Sequence, residues 1–60
     1  MTIGQRIKEA RLAKDWTQRD LATAMGYTIS YISSIENDHY APSSRALMSF
    51  ERALGKRIVK

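Results

Sequence analysis

The 60-residue chain has no cysteine, which removes disulfide staples and thiolate metal sites, two of the usual ways a very small domain is stabilised. It has a single histidine, His39. A metal site would therefore need carboxylates for nearly every other ligand, and the sequence holds no suitable cluster, so no metal and no cofactor is expected. Long apolar runs are missing as well. None approaches the about 20 residues a membrane span needs, and the first residues lack an apolar segment long enough for a signal peptide, so no membrane contact and a cytoplasmic location are expected. There is no internal repeat, low-complexity tract or linker, and 60 residues make one domain, residues 1–60. A chain this short buries only about 60% of the surface its unfolded form exposes, so its core must be small and helix packing must supply the stability.

What is present is positive charge and helical periodicity. Ten Lys and Arg against six Asp and Glu give a formal charge of +4, the sign of a polyanion binder, although many small basic proteins bind nothing anionic. Ile3, Ile7 and Ala10 are spaced by four and three and share one helical face, which predicts a first helix over about 3–14, capped by the Thr2 hydroxyl. Thr17 with Asp20 is a close variant of the capping box and opens a second helix whose stripe is Leu21, Ala22 and Met25. Gly26 ends it, because glycine takes the left-handed conformation of a sharp reversal without a side-chain clash. Thr28 caps a third helix to about Asn37, with Ile32 and Ile35 inward and Ile29, Ser30, Ser33 and Ser34 mostly outside that stripe. Residues 37–42, with Asn37, Asp38 and Pro42, read as a loop. A fourth helix follows, capped by Ser43 or Ser44, with Leu47, Phe50 and Leu54 on its stripe and Gly55 as its stop. The expected fold is all-α, a small bundle of four to five short helices.

Two short helices, 17–25 and 28–37, joined by a tight turn at Gly26 form a helix-turn-helix pattern. A helix of about ten residues is about 15 Å long, which suits a major groove about 12 Å wide. The stretch T-Q-R-D-L-A-T-A-M-G-Y-T-I-S-Y-I-S-S-I-E-N resembles the phage-repressor or Cro-like helix-turn-helix family, whose fold is that of a lambda-repressor-like DNA-binding domain. The resemblance continues through Pro42 and S-S-R-A-L-M-S-F-E-R-A-L-G, covering about Ile7 to Gly55. It implies a sequence-specific regulator of transcription, a repressor by analogy, that places the third helix in the major groove of double-stranded DNA. It also implies a homodimer on DNA and a bacterial or phage-infected cell, with the protein on the nucleoid.

The resemblance assigns the DNA-contacting positions to Thr17, Gln18, Thr28, Ile29, Ser30, Tyr31, Ser33, Ser34, Asn37, His39, Tyr40 and Arg45. Gln18 resembles the glutamine that anchors a phosphate and steadies the third helix. Free amides and the positive dipole end at a helix start suit a phosphate on their own account, and the plain alternative is a solvated first-turn residue. On the third helix, isoleucine makes only apolar contact, most usefully with a thymine methyl, and serine hydroxyls donate or accept and so discriminate bases weakly. No Arg or Lys lies between Thr28 and Asn37, so the bidentate contact to guanine is missing there, which shifts weight to phosphate contacts, groove shape or a dimer reading two half-sites. Tyr31 either packs through its ring or sends its hydroxyl to a phosphate. His39, Tyr40 and Arg45 resemble a backbone-clamping loop. Asp38 stands where relatives often have glycine, and a solvent-facing turn role is expected of it.

Arg11 and Glu36 match positions that form a partly buried ion pair in the family; the alternative is two exposed charges. Trp16 is expected to cover the core. Leu12, and Ile58 with Val59 in the basic tail 56–60, are candidate partner surfaces. The reading of a different class is an antitoxin-like or other protein-binding module using the same helices, which the cation-free face of the third helix keeps open. An enzyme is not expected, because serines without a placed base are not nucleophiles and one loop histidine makes a weak constellation.

Overall fold

The computed structural model describes residues 1–39 and 41–58, and Tyr40, Val59 and Lys60 lie outside the described residues. The chain forms α1 (Ile3–Ala13), α2 (Gln18–Met25), α3 (Ile29–Glu36) and α4 (Ser44–Leu54), with no strand among the described residues. The same local chemistry starts each one. Thr2, Thr17, Thr28 and Ser43 sit in extended conformation and each hydroxyl accepts from the amide three residues on, at 3.1, 3.0, 3.1 and 3.1 Å respectively. These bonds satisfy amides that the first helical turn leaves without an intrahelical partner. At Thr2 and Thr17 the box is closed by Gln5 and Asp20, whose side chains accept from the cap amides. Of the two serines before α4, Ser43 is the cap.

The helix ends repeat one motif too. Asp15, Gly26, Asp38 and Gly55 have φ of 59, 74, 60 and 65°. The amide after each of them bonds back across the last turn: Trp16 to the Arg11 carbonyl, Tyr27 to Ala22, His39 to Ser34 and Lys56 to Glu51, at 2.9 to 3.2 Å. This is the Schellman arrangement, in which a left-handed residue lets the chain reverse while the last carbonyls stay bonded.

Ile7, Ala10, Leu21, Ala22, Ile32, Ile35, Phe50 and Leu54 make one buried core, with α3 and α4 each packing on α1 and α2. Ile3, Trp16, Met25, Tyr27, Tyr31 and Leu47 are half-buried against it. The tail corrects the expectation of a partner surface at Ile58. That side chain is 3% exposed and belongs to the core. Its amide donates to Glu51 Oε2 at 3.0 Å and its carbonyl accepts from Arg6 Nη1 at 3.5 Å, so the segment after Gly55 folds back over α4 and α1. Val59, the other half of that expectation, lies outside the described residues. Leu12 is exposed.

The approach of α1 to α3 is governed by Gly4. A Cβ there would run into the carbonyl oxygen of Ile35, and would sit 2.6 Å from Asp38 Oδ1 and 2.9 Å from the Glu36 carbonyl oxygen. Only a residue without a side chain lets the start of α1 touch the end of α3. Among the described residues no helix is long and apolar enough to cross a membrane.

Candidate nucleic-acid interface

The presentation of α3 begins with the turn before it. Gly26 at φ 74° closes α2, and Thr28 opens α3 two residues later, so the two helices are joined by a reversal too short to flex much. Ile32 and Ile35 anchor the inner side of α3 in the core. Thr28, Ile29, Ser30 and Asn37 are exposed, and Ser33 and Ser34 are half-buried. Ile29 is 38% exposed, an apolar side chain kept at the surface at the start of the helix. Among the polar side chains of this face, Asn37 Nδ2 donates to Ser33 Oγ at 3.3 Å, which orders Ser33 from one side.

Tyr31 is half-buried, with its ring edge-on to Tyr27 at a centroid distance of 4.8 Å and stacked on Phe50 at 6.4 Å. Its ring therefore packs α3 against the turn and against α4. Trp16 lies half-buried on the core, with the Lys14 ammonium 4.7 Å from its ring centroid.

At the far end of α3 the charges are internal. Arg11 Nε donates to Glu36 Oε2 at 2.7 Å and Nη2 to Oε1 at 3.0 Å, with the two residues 6% and 5% exposed. Arg11 Nη1 also donates to the Trp16 carbonyl at 2.7 Å, and Gln18 Nε2 donates to Glu36 Oε1 at 3.2 Å. One carboxylate thus ties α1, the α1–α2 connection and the first residue of α2 to the end of α3. The planar fork of arginine matches a carboxylate in two bonds, so the pair sets direction as well as distance. Gln18 is half-buried, and its amide nitrogen is directed to Glu36 rather than left to solvent. Sequence spacing did not disclose that bond, because its partners are 18 residues apart.

Asp38 departs from the expected solvent-facing turn. It is exposed, but its Oδ2 accepts from the Thr2 hydroxyl at 2.7 Å and its Oδ1 from the Gly4 amide at 3.2 Å. Its negative charge is turned onto the positive end of α1, where a carboxylate is favoured. The residues that follow are open. His39 is exposed, and Arg45 stands exposed in the first turn of α4. A cation at a helix start is at the unfavourable end of the dipole, so Arg45 gains nothing from the dipole of α4. Tyr40 lies outside the described residues. Thr17 is exposed and its hydroxyl accepts from the Asp20 amide as the cap of α2. Among the described residues no group of three or more His, Asp and Glu side chains is placed to hold a metal ion.

A family model described as helix-turn-helix matches residues 7–60. The chain belongs to the helix-turn-helix family. Among curated proteins, this helix-turn-helix chain is 41% identical over 58 residues to the immunity repressor protein of Bacillus phage phi105, a match that covers 97% of the chain and 40% of that protein. It is 40% identical over 45 residues to the ImmF control region 10 kDa protein of the same phage, covering 75% of the chain and 50% of that protein. It is 36% identical over 58 residues to Multiprotein-bridging factor 1 of the yeast Debaryomyces hansenii, covering 97% of the chain and 39% of that protein. The helix-turn-helix chain spans 39 to 50% of the length of these relatives. No solved structure matches it significantly.

Proposed function

We propose that the chain is a non-enzymatic, sequence-specific DNA-binding regulator of transcription, acting as a repressor, that sets α3 in the major groove. The observation that carries this reading is a rigidly mounted helix with an uncharged face. α3 is fixed at its start by the Gly26 turn and at its end by the Glu36 network, with Ile29 and Ser30 exposed and Ser33 and Ser34 half-buried. A helix-turn-helix family membership and the likeness to a protein named an immunity repressor support the same reading.

In this arrangement Ile29 meets a thymine methyl, and the serine hydroxyls and Asn37 take base-edge or phosphate contacts. Thr17, Gln18 and Thr28 at the helix starts, with Tyr31, His39 and Arg45, take the contacts to the sugar-phosphate backbone, Gln18 through the second N–H of the amide whose first is held by Glu36. Because no guanidinium reads guanine from within α3, a single copy discriminates weakly. Two copies on inverted half-sites about 10 base pairs apart supply the missing specificity. The expected place of action is the cytoplasm, on the bacterial nucleoid.

Selection of duplexes from a random library by the purified chain, at low and then rising salt, tests this. An enriched motif whose binding weakens steeply with salt is the expected result. Folded protein that retains only sequence-independent, salt-sensitive binding would sink it. The cation-free face of α3 and the likeness to proteins named multiprotein-bridging factors favour one second reading, a protein-binding module. That reading expects partner capture that tolerates salt.

A further inference from the structure

We propose that Asp38 is a positioning residue of the DNA interface, a role that rests on the function proposed above. By joining the last turn of α3 to the first turn of α1, it sets the angle at which α3 and the chain leaving it at His39 meet the duplex.

The four helix ends supply the comparison. All four reverse through a left-handed residue, and at two of them the residue is glycine, Gly26 and Gly55, which takes that conformation without strain. Asp15 and Asp38 do so with side chains, at φ of 59 and 60°. The Asp15 carboxylate has no hydrogen bond among the described residues, so this motif needs no carboxylate to form. Asp38 uses both oxygens, one on the Thr2 hydroxyl at 2.7 Å and one on the Gly4 amide at 3.2 Å.

Those two bonds hold α1 at its start. The Arg11–Glu36 pair holds it seven residues further along, about 10 Å at a rise of about 1.5 Å per residue. One attachment leaves a helix free to pivot; two attachments this far apart do not. Gly4 removes the side chain that would keep the two helix ends apart. The same bonds turn the Asp38 charge onto the start of α1 and away from an incoming phosphate.

The test separates geometry from charge. Asp38→Gly keeps the left-handed turn and removes both bonds. Asp38→Asn keeps them, since its amide oxygen accepts from Gly4 and its amide nitrogen donates to the Thr2 hydroxyl, and it removes the charge as the glycine variant does. Asp15→Gly removes an equal charge where there is no bond. With duplexes selected by the unaltered chain, and with an unrelated duplex of equal length, Asp38→Gly is expected to bind about three- to tenfold more weakly. Asp38→Asn and Asp15→Gly are expected to bind at least as tightly as the unaltered chain, because losing a negative charge by itself favours a polyanion.

Asp38→Gly binding as tightly as Asp15→Gly would overturn the proposal, and so would Asp38→Asn binding as weakly as Asp38→Gly. If Asp38→Gly does not fold, Asp38→Ala is read against Asp15→Ala, which carries the same left-handed strain and the same loss of charge without the bonds: weaker binding by Asp38→Ala supports the role, and equal binding overturns it. Amide exchange in the free chain gives a readout that needs no DNA. The Gly4 amide should exchange about tenfold faster in Asp38→Gly while the Ile32 amide stays protected; unchanged exchange at Gly4 would overturn the latch. Should the unaltered chain select no duplex, the DNA-reading function fails, while the exchange result still decides whether Asp38 holds α3 to α1.

Discussion

The end of α3 and its outward face use polar side chains in opposite ways. Glu36, at the end, is 5% exposed and both of its oxygens are bonded, to Arg11 and to Gln18. Ile29, Ser30, Ser33 and Ser34, on the face, carry no charge and are open or half-open to solvent. The difference teaches that in this small domain charge orients the helix, and the face proposed to meet DNA carries none. A buried, doubly bonded carboxylate has one geometry, which suits a mount. A hydroxyl rotates to donate or accept, which suits a surface that meets different groups.

The largest effect should come from breaking the mount. Glu36→Ala leaves the Arg11 guanidinium buried without its carboxylate, and a loss of about 3–5 kcal/mol is expected in denaturant unfolding. A loss below about 1 kcal/mol would show that water reaches the pair and that the two regions differ less than their burial implies. Gly4→Ala comes next. Alanine is the better helix former by about 1 kcal/mol, yet its Cβ meets the Ile35 and Glu36 carbonyl oxygens, so a net loss of about 1–3 kcal/mol is expected. A stabilised variant would mean that α1 slides away from α3 at little cost.

A smaller contrast sits within one motif. Asp15→Gly relieves a left-handed aspartate without removing a bond and should gain about 1 kcal/mol, visible as a raised thermal midpoint. Asp38→Gly receives the same relief but loses two bonds to α1, so its midpoint should fall below that of Asp15→Gly. Equal midpoints would erase the distinction between the two ends. The smallest stability effect belongs to the face: Ile29→Ala and Ser30→Ala should each change stability by less than about 0.5 kcal/mol while altering which duplexes are selected. An unchanged base preference in both would remove α3 as the reader.

Much of the fold was legible because its signals are local. A hydroxyl three residues before a partner amide, a glycine after an apolar stripe and a stripe at helical spacing act within one or two turns. They placed all four helices to within about two residues. The exceptions are contacts between residues far apart in the chain. Ile58 looks like a stray apolar residue in a basic tail until the segment after Gly55 folds back and Glu51 and Arg6 bond its backbone. Asp38 looks like a solvent-facing turn residue until the start of α1 is beside it, and Gly4 has no turn to explain it until α3 arrives. The Arg11–Glu36 pair and the assigned DNA-contacting positions came from family resemblance, with two exposed charges as the alternative for the pair.

By itself the sequence determined where each helix starts and stops and which of its sides is apolar, because caps, left-handed reversals and helical periodicity are set by residues a few positions apart. Only the tertiary structure decided the angle of α3 to α1 and the company its polar groups keep. That angle rests on bonds between residues 25 to 36 positions apart, and such bonds exist only once burial of the shared core has brought the helices together.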